Sequence, residues 1–496
     1  MQLATSCDKK ADPAPVVVTP PPSTTTVAPA KSSAKSVLTF TFAALSPAIN
    51  GTIDNTTRTI SATVAAGTDV SKLVPTLTIS DKATVSPAPG VAQDFSKAVT
   101  YTVTAEDGTT QAYGVSVVVP PAPVVTTKAI KSNSDLPDVL EDLGNGVDYL
   151  VTANISITGT RVVTVRPGVL IQFEGGSSGF TISSQAALKM IGTAAKPIIL
   201  EGKVASAGSW QGILVRATNI ENQWEYVTVR HAGGNSQNGG LSIGYFGDAT
   251  RISLKNCTFN TNFGYGVLCN DDFYSGNCFT GFANNTFTGN TKSALKIRAA
   301  EMGSLDTPGK YADNGQKYIE VAKQGTLIDD ITVKKIDVPY RVFATVRSNA
   351  KITINAGVTI EFTTDVGFDC RYDDKQGAIV ANGTTAEPIR LIGYLPNIKG
   401  LWKGFLLENG SPETSFTNCI IDGAGSIISN PCSGGYKAAL SFGANPCGNY
   451  PGRGIVSNCT ISNSGGYAIV FKTGDPVTVS NNTYAGNASD NTFNYK

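Results

Sequence analysis

The sequence predicts an all-β chain, a β-sandwich followed by a long solenoid of parallel strands. Three observations point there. The first is a repeat. Val165-Arg166-Pro167-Gly168-Val169-Leu170-Ile171-Gln172-Phe173 returns as Ile354-Asn355-Ala356-Gly357-Val358-Thr359-Ile360-Glu361-Phe362. Trp210-Gln211-Gly212 returns as Trp402-Lys403-Gly404, and Asn256-Cys257-Thr258 as Asn458-Cys459-Thr460. Asn284-Asn285-Thr286-Phe287 returns as Asn481-Asn482-Thr483-Tyr484. A long duplicated unit made of short β-rich phrases is the mark of a solenoid. The second observation is spacing. Runs such as Ile198-Ile199-Leu200, Ile213-Leu214-Val215 and Tyr226-Val227-Thr228-Val229 stand too close together for crossover helices. Each strand must then pair with the one a full turn later. The third is the period-two alternation of apolar residues within 36–119, the pattern of an antiparallel sandwich of two packed sheets.

Taken in order, residues 1–6 read as the remnant of a signal peptide and 7–35 as a tether. Residues 13–35 are dominated by Pro, Thr, Ser, Ala and Val, which cannot bury a core. Leu3-Ala4-Thr5-Ser6-Cys7 resembles the end of a bacterial lipoprotein signal, so Cys7 is the expected lipidation site. Residues 36–119 form the sandwich. Its inward series begins Leu38, Phe40, Phe42, and Asp107-Gly108 marks a hairpin between its last two strands. Residues 120–147 hold a Pro-rich linker and an expected capping helix at 135–143, where Leu136, Val139, Leu140 and Leu143 would share a face. The first half of the solenoid spans 148–300, an excursion 301–337, and the second half 338–496.

Charge narrows the function classes. The 496 residues carry 39 basic and 38 acidic side chains. No global field exists to attract nucleic acid or an anionic membrane. No apolar run approaches the ~18–20 residues that span a bilayer.

Residues that recur in both copies are turn and packing types, because core geometry must repeat and a binding site need not. Trp210 and Trp402 are therefore expected as packed wedges rather than sugar platforms. His231 is the only histidine, and its repeat counterpart is Gly423. One histidine rules out histidine-rich metal clusters and reads as a surface strand-end residue. The most suggestive non-repeated cluster is Cys269-Asn270-Asp271-Asp272-Phe273-Tyr274-Ser275-Gly276-Asn277-Cys278. It joins carboxylates, an amide and aromatic rings. Asn270, Asp271, Asp272, Phe273 and Tyr274 are the expected ligand-binding residues. Cys269–Cys278 and Cys432–Cys447 are the expected disulfides of an exported chain. Cys257, Cys419 and Cys459 each follow Asn and read as buried free thiols. No cofactor is implied; calcium is the ion such an acidic loop would accept.

The stretches 46–54 and 101–109 resemble the Ig-like or cadherin-like modules of Bacteroidota surface proteins. The phrases from about Asp148 onward resemble the right-handed parallel β-helix, the pectin-lyase-like fold. That resemblance implies fold strongly and activity weakly. The Gly-His-Gly and Arg-Ile-Lys phrases of polygalacturonase-like enzymes are missing here; the nearest are Arg230-His231-Ala232 and Arg251-Ile252-Ser253. The expectation is a non-catalytic lipoprotein on the outer-membrane surface, binding an extended glycan or another macromolecule. A polysaccharide lyase or glycoside hydrolase acting on an acidic polysaccharide is the alternative.

Overall fold

The computed structural model describes residues 29–121, 126–234, 238–244, 249–269, 276–370, 377–407, 411–427, 436–443 and 451–495. The chain divides into two compact units, Met1–Val124 and Val125–Lys496.

In the first unit, a three-stranded sheet centred on Val37–Phe42 and a five-stranded sheet enclose Phe40, Phe42, Phe95, Tyr101, Tyr113 and Val115. Edge-to-face ring pairs at 5.2–6.4 Å knit this core. Asp107-Gly108 turns the expected hairpin between Val99–Thr104 and Thr110–Val118, with Gly108 at φ +85°. Two expectations are corrected. Thr59–Thr63 pairs with Thr110–Val118 in parallel, so the sandwich is mixed rather than purely antiparallel. Leu38 is 60% exposed, because a bulge between Val37 and Thr39 resets the alternation and turns Val37 inward.

The second unit is a parallel β-helix with three strands per turn. Its first copy stacks six-stranded and eight-stranded sheets, and its second copy two six-stranded sheets. A thirteen-stranded sheet, running from Asn154–Ile157 to Thr483–Ala485, passes through both copies without a break. The copies are therefore one continuous solenoid.

Two further expectations fail here. Residues 135–143 are not a helix. Val139–Leu140 pairs with Val162–Val165, Leu136 and Leu140 are buried, and Val139 is 38% exposed. The four apolar residues do not share one face, and the Asp148 carboxylate takes the Leu143 N–H. The segment covers the end of the core as a bent first rung. Residues 301–337 are likewise no excursion. After the single helical turn Ala299–Met302, Lys310–Asp313 ends the eight-stranded sheet. Ile319–Val321 joins the thirteen-stranded one, and Ile331–Val333 opens a new sheet. Tyr311, Ile319, Val321, Leu327 and Val333 keep the core filled beneath the charged exterior.

These rungs carry a phase shift. Leu170–Phe173 and Thr359–Phe362 are the same repeated phrase. The first lies in the eight-stranded sheet and the second in the thirteen-stranded sheet. Gly212–Ala217 and Gly404–Leu407, each following its tryptophan, differ in the same way. The second copy is thus rotated about the solenoid axis by one face.

The asparagines explain the corners. Asn256, Asn284, Asn418, Asn458 and Asn481 bend the chain between consecutive strands at φ +50° to +55°. Asparagine tolerates this left-handed region better than other residues bearing a Cβ. The following asparagines reach across rungs. Asn285 accepts from the Cys257 N–H at 2.9 Å and donates to the Leu254 carbonyl at 3.0 Å. Asn482 repeats this with Cys459 and Val456 at 2.8 and 2.9 Å. Asn262, Asn290 and Asn314 form a stacked amide ladder at 2.8–2.9 Å.

Candidate functional site

The recurring tryptophans are core. Trp210 and Trp402 are fully buried and stack on Phe173 and Phe362 at 3.9 and 4.0 Å. Their indole N–H groups donate to the Arg230 and Asp422 carbonyls. The next residues, His231 and Gly423, hold φ +66° and +75°. The repeat alignment of histidine with glycine is therefore real in three dimensions. His231 is half-buried rather than a surface residue. Burial holds its pKa below the usual histidine range, with Arg230 adding to the effect.

Asn270, Asp271, Asp272, Phe273 and Tyr274 lie outside the described residues, as do Cys7, Cys432 and Cys447. Cys269 and Cys278 flank that loop. Both are buried, their sulfurs stand 3.8 Å apart, and no bond joins them in this structure. Beneath them Arg298 and Glu301 form an ion pair at 2.6 Å that is 3% and 0% exposed, and Glu301 also accepts the Cys278 N–H. This arrangement holds the base of the loop. Cys257, Cys419 and Cys459 are buried unbonded thiols that reach neighbouring carbonyls at 3.2–3.5 Å. Among the described residues no group of three or more His, Cys, Asp or Glu side chains could hold a metal.

The exterior of the thirteen-stranded sheet is where the two copies meet, and there the surface chemistry changes. On the first second-copy rung, Tyr318 and Glu320 face outward from Ile319–Val321. Register aligns Glu320 with Arg341 on the next strand, then with Glu361 and Ile392. One step along the same strands lie Phe343, Thr363 and Tyr394. The Arg341 guanidinium sits 3.9 Å from the Tyr318 ring centre and 5.6 Å from that of Tyr394. It is bonded to Glu361 at 2.7 Å. Tyr318 and Phe343 rings are 5.9 Å apart, and Phe343 is 41% exposed. On the first-copy side, Glu320 pairs with Lys296 at 3.4 Å and accepts the Tyr265 hydroxyl at 2.6 Å. Lys292 lies 5.0 Å from the Tyr265 ring centre.

This is a platform of three partly exposed rings over a locked charge ladder. Flat rings beside fixed polar groups are the ordinary means of holding a sugar face. Strand position for strand position, the first copy carries Thr127, Ala129, Leu150, Thr152, Gln172 and Lys203. The platform has Tyr318, Glu320, Arg341, Phe343, Glu361 and Tyr394 there. The platform does not recur. The sequence held one signal for it, the aromatic-charged alternation Tyr318-Ile319-Glu320 and Tyr340-Arg341-Val342-Phe343. Only the stacking of one rung on the next places those phrases side by side.

A second surface is less suited. Adjoining clefts of about 430 and 370 Å³ meet at Ile220 on the outside of the first copy's six-stranded sheet. Hydroxyls and amides from Thr160, Gln185, Asn219, Gln223 and Thr280 line them, and the one ring there, Trp224, is 1% exposed.

Comparison with known proteins bears on the sandwich. Residues 37–117 match the family model SGBP, N-terminal, the N-terminal domain of surface glycan-binding proteins. No curated protein matches the chain. Among solved structures, a candidate glycoside hydrolase from Bacteroides thetaiotaomicron VPI-5482 is similar at 29% identity. The match covers 21% of this chain and 30% of that one, with a TM-score of 0.17. The chain thus spans about a third of that protein's length. Among the described residues no helix is long and apolar enough to cross a membrane. The sandwich is similar to a glycan-binding protein's N-terminal domain, and the solenoid carries the ring platform.

Proposed function

We propose that the chain is a non-catalytic surface glycan-binding protein, tethered through a lipid on Cys7, that captures a polysaccharide on the outside of its solenoid. The observation that carries this reading is the platform of Tyr318, Arg341, Phe343 and Tyr394. It is confined to the junction and unneeded by the repeated core. The similarity of residues 37–117 to SGBP, N-terminal supports the same class. The loop Asn270–Tyr274 is proposed as a further contact, on its carboxylates and rings alone.

A glycan-array screen, followed by calorimetry on the hits, tests the reading. Wild type should bind, and Tyr318→Ala or Phe343→Ala should weaken binding about tenfold, the factor that 1.4 kcal/mol of lost contact gives. Asp271→Ala and Tyr274→Ala report on the loop in the same assay. A parallel assay for new reducing ends and unsaturated products addresses the lyase or hydrolase alternative; turnover of any polysaccharide would remove the non-catalytic reading. Mass spectrometry of the native protein showing an unmodified Cys7 would remove the lipid anchor.

A further inference from the structure

We infer that the platform takes an uncharged polysaccharide chain lying across several stacked rungs, rather than a uronate polymer or a single sugar. The inference rests on the glycan-binding reading above and names its ligand class.

Charge comes first. Each carboxylate on the platform is already engaged. Glu361 holds Arg341 at 2.7 Å, while Glu320 holds Lys296 at 3.4 Å and the Tyr265 hydroxyl at 2.6 Å. The Glu320 and Glu361 side chains are 14% and 17% exposed, and Arg341 is 23% exposed beneath the Tyr318 ring. An anionic sugar would have to take Arg341 from Glu361, losing a charge-assisted pair to gain one. Of the other cations, Lys292 lies toward the Tyr265 ring at the platform's first-copy edge, and the exposed Lys317 and Arg390 stand at the margins, beside Tyr318 and four residues before Tyr394. What the surface offers outward is ring area, matched to the C–H faces of a pyranose.

Geometry sets the orientation. Tyr318 and Phe343 belong to adjacent rungs of one sheet, and Tyr394 to the rung beyond that of Thr363. From the rung of Tyr318 to that of Tyr394 there are three strand spacings, about 14 Å at ~4.8 Å each. The register sets Tyr318 two residues before the Glu320–Arg341–Glu361 column and Phe343 and Tyr394 two residues after it, so the strip crosses the stacked rungs obliquely and exceeds one sugar ring in length. A saccharide chain laid along it meets a ring at either end and the Arg341–Glu361 pair between them.

The experiment is calorimetry with wild type and Phe343→Ala at low and high salt. The probes are glucose, neutral gluco-, manno- and xylo-hexasaccharides, and hexagalacturonate. Phe343 is 41% exposed, so its removal leaves the fold intact. A neutral hexasaccharide should bind, with affinity unchanged by salt and lowered about tenfold in Phe343→Ala. Hexagalacturonate binding more tightly, and weakening with salt, would overturn the uncharged class while leaving the glycan reading in place. Glucose binding as tightly as its hexamer would overturn the extended-chain reading. If no saccharide binds wild type, this inference falls together with the reading beneath it.

Discussion

Trp210 stacks on Phe173 at 3.9 Å and Trp402 on Phe362 at 4.0 Å, and both indoles find a carbonyl one rung on. Asn285 and Asn482 brace Cys257 and Cys459 through the same two hydrogen bonds. Outside the same walls, Leu150 stands where Arg341 stands, Thr152 where Phe343 stands and Lys203 where Tyr394 stands. The interior of a solenoid is constrained by the rung above and the rung below, so duplication preserves it. The exterior faces water and is free to diverge. Rotation of the second copy by one face then brings a last first-copy strand against a first second-copy strand. The ring platform lies on the second copy's side of that seam, with Glu320 tied across it to Lys296 and Tyr265.

This comparison can be strained at several strengths. Trp210→Ala and Trp402→Ala should each cost about 3–5 kcal/mol in urea unfolding, and should agree within about 1 kcal/mol; a large effect in one copy alone would show that the wedges are not equivalent. Asn285→Ala removes a fully buried bridge and should cost about 1–3 kcal/mol. Asn482→Ala, half-buried on the last turns, should cost less; equal losses would mean that the terminal rungs are as tightly held as the middle. Oxidation of Cys269 with Cys278, and of Cys432 with Cys447, is expected to add about 2 kcal/mol per bridge. Non-reducing peptide mapping that recovers all four as free thiols would count against both bridges and against an oxidising compartment.

The smallest effect concerns the corner after each tryptophan. His231 holds φ +66° where the other copy uses Gly423. His231→Gly should stabilise the chain by about 0.5–1 kcal/mol by relieving that left-handed backbone. A loss of stability instead would mean that the imidazole contributes more packing than its backbone costs.

The solenoid was legible in the sequence because the core repeats: Gly168 and Gly357, Trp210 and Trp402, and Cys257 and Cys459 mark the same corners. The supposed helix at 135–143 shows the limit of periodicity. Leu136 and Leu140 satisfy a helical spacing and equally a bent rung, and strand pairing with Val162–Val165 decided between them. Residues 301–337 read as an excursion because their outward positions carry Lys310, Asp313, Lys317 and Glu320. Their inward positions, Tyr311, Ile319 and Val321, continue the core. The platform was not legible, since Tyr318, Phe343 and Tyr394 are scattered along the chain. They meet only because successive turns of the solenoid stack one strand on the next.

The most direct test converts the seam to its first-copy form. The triple variant Tyr318→Thr, Phe343→Thr and Tyr394→Lys puts at each position the residue that the other copy already carries on the same kind of strand. Calorimetry with the wild type's own glycan-array hit, paired with circular dichroism, reads binding and fold together. The expected result is an unchanged β spectrum with loss of glycan binding. An unchanged spectrum with undiminished binding would contradict it, and would place the ligand elsewhere on the solenoid.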